Sequence, residues 1–426
     1  MSRRRLLYTC LAMCGLLGLA VALLTPWHPL GTGGGVVRPD VNAAFTAGEI
    51  ARGAGFRSAL GPWPYVGIAL AVAVPWGLLA FFSRSAPSPE SSSVIHGFRR
   101  FALILAVVVG VAAIQWAAAA PVSVHSEVVL RRFGLSTQSW SAWLGDQALV
   151  KALACSVTGV GVAFAMWLVR RAPTRWPWLL AAAAMVVMVL GSLAYPLVVE
   201  PVFNAHTPLP AGPLRQRIER LAAAEGFPDL KVLVSNASVR TTGENAHVSG
   251  IGATRWVVLD DTLVARAKTD PDAVVAVVAH EMGHVRHRDV LRGTLIGAMG
   301  VGTFVLLLAL ALTTVRGRRI FAPQTDRRAD LVRGVLLFLA VATTAPLAAA
   351  PVANLVSRRV EASADVHALQ ATADVPAFIR AQHDLATSNL SRLAPSWWQT
   401  IMFATHPDPV WRIAQAHTWQ RDQQHR

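Results

Sequence analysis

Two histidines four residues apart, with a glutamate directly after the first, carry the strongest chemical signal in the chain: His280-Glu281-Met282-Gly283-His284. On a helix, residues i and i+4 project from one face a turn apart, so both imidazoles can reach a single tetrahedral zinc ion. Glu281 is rotated by about 100° from His280 and can address the open fourth position, where a base that activates water would stand. The local sequence specifies such a helix. Asp270 suits the N-cap, Pro271 the first helical position, and Asp272 adds an acid near the positive end of the dipole. Ala273 to Ala279 then lead without a breaker into the histidines.

A catalytic zinc ion takes three protein ligands and keeps one position for water. Glu361 is the candidate for the third. The chain has nine glutamates, and this one closes the last apolar stretch, within Asn354-Leu355-Val356-Ser357-Arg358-Arg359-Val360-Glu361-Ala362-Ser363-Ala364-Asp365. Asp365, a helical turn further on, can accept the second N–H of a zinc-bound histidine and fix its tautomer. The plainer alternative is a solvated helix face on which Glu361 pairs with Arg358 or Arg359. His287 lies seven residues after His280, two turns along and too far to be a third ligand from one straight helix. It is read as a surface group or a support behind the ligands, and Asp289 is left open.

These groups have to be held by something, and composition says what. Of 426 residues, 54% are hydrophobic and 15% charged, with a mean hydropathy of +0.44, too apolar for an ordinary soluble chain of this length. Seven stretches approach the ~20 apolar residues that a spanning helix needs: Leu6 to Leu24, Tyr65 to Phe82, Phe101 to Ala120, Leu149 to Val169, Leu179 to Val199, Thr294 to Val315 and Val332 to Val356. The first reads as an uncleaved span, because no small-residue cleavage site follows it. Pro346 and Pro351 make an end of the last span before Pro351 plausible. The metal helix is expected to continue into the sixth span, with Glu361 following directly from the seventh.

The domain reading is therefore 1–199 for five transmembrane helices and loops, 200–293 for a catalytic segment with a small sheet, 294–356 for helices six and seven, and 357–426 for the Glu361 helix and the rest of the catalytic domain. Leu214, Ile218, Leu221 and Ala222 mark an amphipathic helix, and Lys231 to Ser235 and Trp256 to Leu259 read as strands. A Ser-Pro loop falls at residues 83 to 93. The net charge of +15 is carried almost entirely by arginine. Arg3 to Arg5, Arg84, Arg99, Arg100, Arg170, Arg171, Arg175, Arg316, Arg318, Arg319, Arg327, Arg328 and Arg333 crowd loops on one side of the expected membrane, against Arg38, Arg52, Arg57, Arg131, Arg132 and Lys151 on the other. The positive-inside rule puts the first side in the cytoplasm and the catalytic segment outside. Such flanking arginines do not form the aromatic-interleaved face of a nucleic-acid binder. Cys10, Cys14 and Cys155 all lie in apolar runs, which argues against disulfides or thiolate zinc ligation.

In its second half the chain resembles the type-I CAAX prenyl protease family, integral-membrane zinc metalloproteases with seven spans. The resemblance runs through Pro201-Val202-Phe203-Asn204 with Thr207-Pro208-Leu209, Asn245-Ala246, Val257 to Leu263, His280 to His284, Ser357-Arg358 to Asp365, and Thr405-His406-Pro407 with Arg412-Ile413. It implies one Zn²⁺ per chain on His280, His284 and Glu361, with His406 stabilising the reaction's developing charge and Arg412 supporting the site. It also implies that the substrate pairs as an added strand beside Asn245-Ala246. Two departures stand out. Met282 replaces a leucine, a near-isosteric change, and His247 replaces the aromatic that usually follows Asn-Ala, altering the adjoining pocket.

The expected architecture is mainly α: a seven-helix transmembrane bundle with an α+β extramembrane zinc-peptidase domain carrying a short edge strand for substrate. The expected function is a membrane zinc metalloendopeptidase acting on membrane-associated or lipidated proteins, with protein or peptide substrate and membrane lipids as its partners. General membrane-protein quality control is an alternative. So is a multi-pass protein with a structural zinc ion, which would leave Glu281 without a task.

Overall fold

The computed structural model describes residues 3–30, 36–84, 97–252, 255–314 and 327–425. Most of the Ser-Pro loop at residues 83 to 93, together with Arg316, Arg318 and Arg319, lies outside the described residues. Helix α1 (Arg3–Leu24) is followed by the short α2 (Val41–Ala44) and α3 (Ala47–Leu60), then by α4 (Trp63–Arg84), α5 (Gly97–Arg132), α6 (Trp140–Arg171) and α7 (Trp176–Ala194). A π-helical turn at Tyr195–Val199 joins α7 to the single turn α8 (Glu200–Phe203). Among the described residues, seven helices are long and apolar enough to cross a membrane, and they coincide with the seven expected stretches. Their outward faces leave Leu11, Val157, Val160, Val187 and Leu190 more than half exposed, a surface that hydrocarbon, not water, would cover.

The polar part holds α9 (Pro213–Ala224), α10 (Asp261–Arg266), α11 (Pro271–His287) and a four-stranded sheet. Strands β1 (His206–Pro208), β2 (Lys231–Ser235), β3 (Ala246–Ser249) and β4 (Trp256–Asp260) lie in the order β1-β2-β4-β3, with β2 and β4 parallel and both outer pairs antiparallel. Strand β3 is therefore an edge. The sixth and seventh spanning helices are α12 (Asp289–Leu312) and α13 (Arg328–Thr372), after which α14 (Val375–Ser388), α15 (Trp397–Phe403) and α16 (Pro409–Gln424) complete the chain.

Helix α11 sits at the centre of the polar part's core. Val274, Val278 and Met282 are fully buried with Val257 and Leu259 of the sheet, Leu369 of α13 and Phe378 of α14. Its start is as read from sequence: the Asp270 side chain accepts from Ala273 N at 3.0 Å, and Pro271 opens the helix. A helix apolar on nearly every side belongs inside a domain.

Two expectations about the helices need correction. Helix α11 does not run on into the sixth span. Arg288 adopts a left-handed conformation (φ 56°, ψ 40°) that ends one helix and redirects the chain into the next. Nor does the helix of the last span break before Pro351, because α13 is a single 45-residue helix through both Pro346 and Pro351. Proline removes one helical bond, but unwinding between packed apolar neighbours would expose many more backbone groups. One rigid element thus joins the spanning segment to Glu361.

Candidate metal centre

Helices α11 and α13 cross closely enough for their functional side chains to meet because Gly283 has no side chain. A Cβ there would stand 3.1 Å from Ala364 Cα, 3.1 Å from His367 Cβ and 3.3 Å from the Ala364 carbonyl oxygen. Backbone cannot yield as a flexible side chain can. Gly283→Ala is therefore expected to force the helices apart, costing about 1–3 kcal/mol as overpacking does. A lower melting temperature together with weaker metal binding would be the signature.

Across that contact three donors converge. His280 Nε2 and His284 Nε2 are 3.1 Å apart, and Glu361 presents Oε2 at 3.2 Å from the first and Oε1 at 3.8 Å from the second. All three ligand atoms fall within 4.8 Å of one another. The far side of each ring is occupied: His280 Nδ1 lies 2.8 Å from Asp365 Oδ1, and His284 Nδ1 lies 2.9 Å from Asp289 Oδ2. Ionised carboxylates only accept, so each Nδ1 carries the hydrogen, and each ring, when neutral, turns its Nε2 lone pair inward. Two lone pairs and a carboxylate facing one point repel one another unless a cation stands between them. The donor set therefore fits a metal ion.

Without a metal, the same carboxylates favour a proton on each ring in its place. Burial acts to lower the His280 pKa, but the bonds to Asp365 and Glu361 outweigh it and push the value up to about 10 in the metal-free ring. His284 is likewise raised against its burial, chiefly by Asp289. The site demands positive charge.

The supporting residues fall into place behind the donors. Arg412 grips Asp365 with Nε at 2.8 Å and with Nη2, so the carboxylate that orients His280 is itself fixed. Arg358 does not pair with Glu361. Its Nη1 donates to the carbonyls of Thr400 at 2.6 Å and Ala404 at 2.7 Å, pinning the segment that delivers His406. His406 is more than half exposed, and its Nε2 comes within 3.3 Å of Glu361 Oε2. Glu281 is buried at 6% exposure, and among the described residues no hydrogen bond or ion pair engages its carboxylate. His287 stands apart, its ring edge-on to His367 at 5.7 Å. Asn245 is exposed immediately before edge strand β3, and Ala246 opens that strand. Asn245, His406 and Arg412 line one cavity of about 640 Å³.

Two features escaped the sequence reading. Asp289, uncommitted on sequence, does for His284 what Asp365 does for His280. A partner five residues away is unreachable along a straight helix, and only the turn at Arg288 swings it back. Asp289→Ala is expected to weaken metal affinity ~10–100-fold, as loss of a ligand's supporting carboxylate does; competition against a chelator measures it. The second feature concerns His247. It pairs with Glu200, a buried carboxylate at the end of the fifth span, with Nε2 2.7 Å from Oε1, while Ser249 Oγ donates to Oε2 at 2.7 Å.

Residues 208–420 match the model of peptidase family M48, and residues 68–205 match the CAAX prenyl protease N-terminal model of five membrane helices. The chain belongs to peptidase family M48. The uncharacterized metalloprotease YhfN of Bacillus subtilis is 29% identical over 69% of this chain and 68% of its own length. The CAAX prenyl protease 1 of Saccharomyces cerevisiae is also 29% identical, over 69% of this chain and 67% of its own. The crystal structure of S. mikatae Ste24p shares the fold at a TM-score of 0.71, with 21% identity, covering 98% of this chain and 99% of that one. This M48 chain is thus an integral-membrane metalloprotease of the CAAX-protease type, mainly helical with a small mixed sheet, and its family implies a catalytic metal.

Proposed function

We propose that the chain is a zinc endopeptidase in which His280, His284 and Glu361 hold the metal and Glu281 is the base. The observation that carries this reading is the convergence of two inward Nε2 lone pairs and one carboxylate, each ring already oriented from behind by an aspartate. Zinc, when bound, supplies a Lewis acid and a water whose pKa falls to ~7. Glu281 would take the proton of the attacking water and pass it to the leaving nitrogen. His406, open to the cleft, stabilises the negative charge that develops on the substrate oxygen. Asn245 and Ala246, at the free edge of β3, align the peptide as an added strand. Arg412 holds Asp365, and Asp365 holds His280.

The substrates are membrane-associated or lipidated proteins. Support comes from the position of the donors: Glu361 shares one helix with the seventh span, and α11 abuts the sixth across a single residue. The arginine-rich loops favour the cytoplasm, which would set the catalytic part on the opposite face. Purified protein is expected to contain zinc and to cleave a farnesylated peptide faster than its unlipidated twin. Equal rates would remove the lipid preference and favour general turnover of membrane proteins, and loss of cleavage on chelation with recovery on added Zn²⁺ checks the metal.

A further inference from the structure

The 640 Å³ cavity beside the metal centre is bounded by α3, the start of α4, α14 and the segment leading to α16, with His406 and Arg412 on its metal side. Its charges do not balance. Glu244 and Asp408 line it, but each is already taken: Arg266 holds Glu244 through two bonds of 2.6 Å, and Arg38 holds Asp408 at 2.9 Å. Arg412 is committed to Asp365. Two lining arginines, Arg57 and Arg392, are left. Among the described residues neither has an ion-pair partner. The one side-chain hydrogen bond of Arg57 among the described residues is a long 3.5 Å contact from Nη1 to the carbonyl of Ser391, which places its guanidinium beside the residue preceding Arg392.

Two uncompensated cations on one cavity wall repel each other, and an anion entering between them relieves that repulsion. Guanidinium groups match a carboxylate in particular, through paired N–H donors. The rest of the wall includes Leu60, Tyr65, Ile68 and Phe403, suited to the apolar part of a short peptide.

We propose that this cavity is a carboxylate subsite of the substrate cleft, in which Arg57 and Arg392 hold a carboxylate of the bound peptide, supplied by its free C-terminus or by an acidic side chain. The inference rests on the peptidase reading above, since the ligand is the substrate itself. It makes the two arginines specificity determinants that stand apart from the groups performing hydrolysis.

Binding to zinc-loaded, full-length Glu281→Gln protein in detergent tests it without requiring turnover. Three labelled peptides of one sequence serve: one ending in a free carboxylate, one amidated, and one amidated with a glutamate as its penultimate residue. At least one carboxylate-bearing peptide is expected to bind ~10-fold or more tightly than the neutral amide, as charge-assisted pairing allows. Which of the two gains tells whether terminus or side chain supplies the group. Arg57→Gln and Arg392→Gln should each shrink that advantage while leaving amide affinity, zinc content and melting temperature unchanged, and Arg57→Lys should keep part of it. Equal affinity for all three peptides would overturn the proposal, as would an advantage that survives both glutamine variants. A failure of the wild type to cleave any peptide would count against the peptidase reading alone, because the binding comparison does not depend on cleavage.

Discussion

Glu281→Gln is expected to retain its metal and to lose peptide hydrolysis by ~10²–10⁴-fold, the range over which a positioned general base acts. Glutamine keeps the volume and planarity of glutamate but cannot take a proton. The site makes this a clean comparison. Glu281 is buried, makes no hydrogen bond or ion pair with another described residue, and does not belong to the converging donor group. Removal of its charge therefore breaks no structural bond. Metal analysis and turnover measured on the same preparation separate the two effects. Substantial hydrolysis by the glutamine variant would mean that another group activates the water.

Glu361→Ala is expected to lose metal and activity together. The remaining pair of Nε2 atoms would lack its anionic donor, and the two carboxylates behind the rings are not free to replace it. Asp365 is bound to His280 and Arg412, and Asp289 is bound to His284. The loss should exceed the ~10–100-fold expected for a residue that only supports a ligand. His280→Ala should behave alike. A Glu361→Ala protein with full metal content would remove this residue from the ligand set. The comparison with Asp289→Ala matters here, because a graded response, severe for a ligand and moderate for its support, is what the geometry requires.

Most of this arrangement could be read from sequence where a single local rule governs. The spans follow from apolar length alone. The start of α11 follows from Asp270-Pro271, and the pairing of His280 with His284 follows from helical periodicity. Glu361 and Asp365 were legible because a turn separates them on the helix that leaves the last span. His406 and Arg412 were legible only through family resemblance, since nothing local distinguishes an exposed histidine in a turn or a helix arginine from any other. What could not be read depends on contacts between elements. The left-handed Arg288 carries no glycine or asparagine to announce it, so the expected continuous helix was wrong and the role of Asp289 stayed hidden. Gly283 matters only because Ala364, some eighty residues later, presses against it. Strand β1, three residues ending in proline, is too short for alternation to show, and it exists because β2 offers it an edge. His247 faces Glu200 across elements that sequence spacing does not connect.

The most direct test of the central claim is zinc-edge X-ray absorption on the purified protein. Two imidazole nitrogens at ~2.0–2.1 Å and one carboxylate oxygen at ~2.0–2.2 Å, with a remaining light-atom position open to water, is the result that the converging donors predict. A third imidazole, a sulfur ligand, or an unchanged spectrum in the Glu361→Ala protein would contradict it.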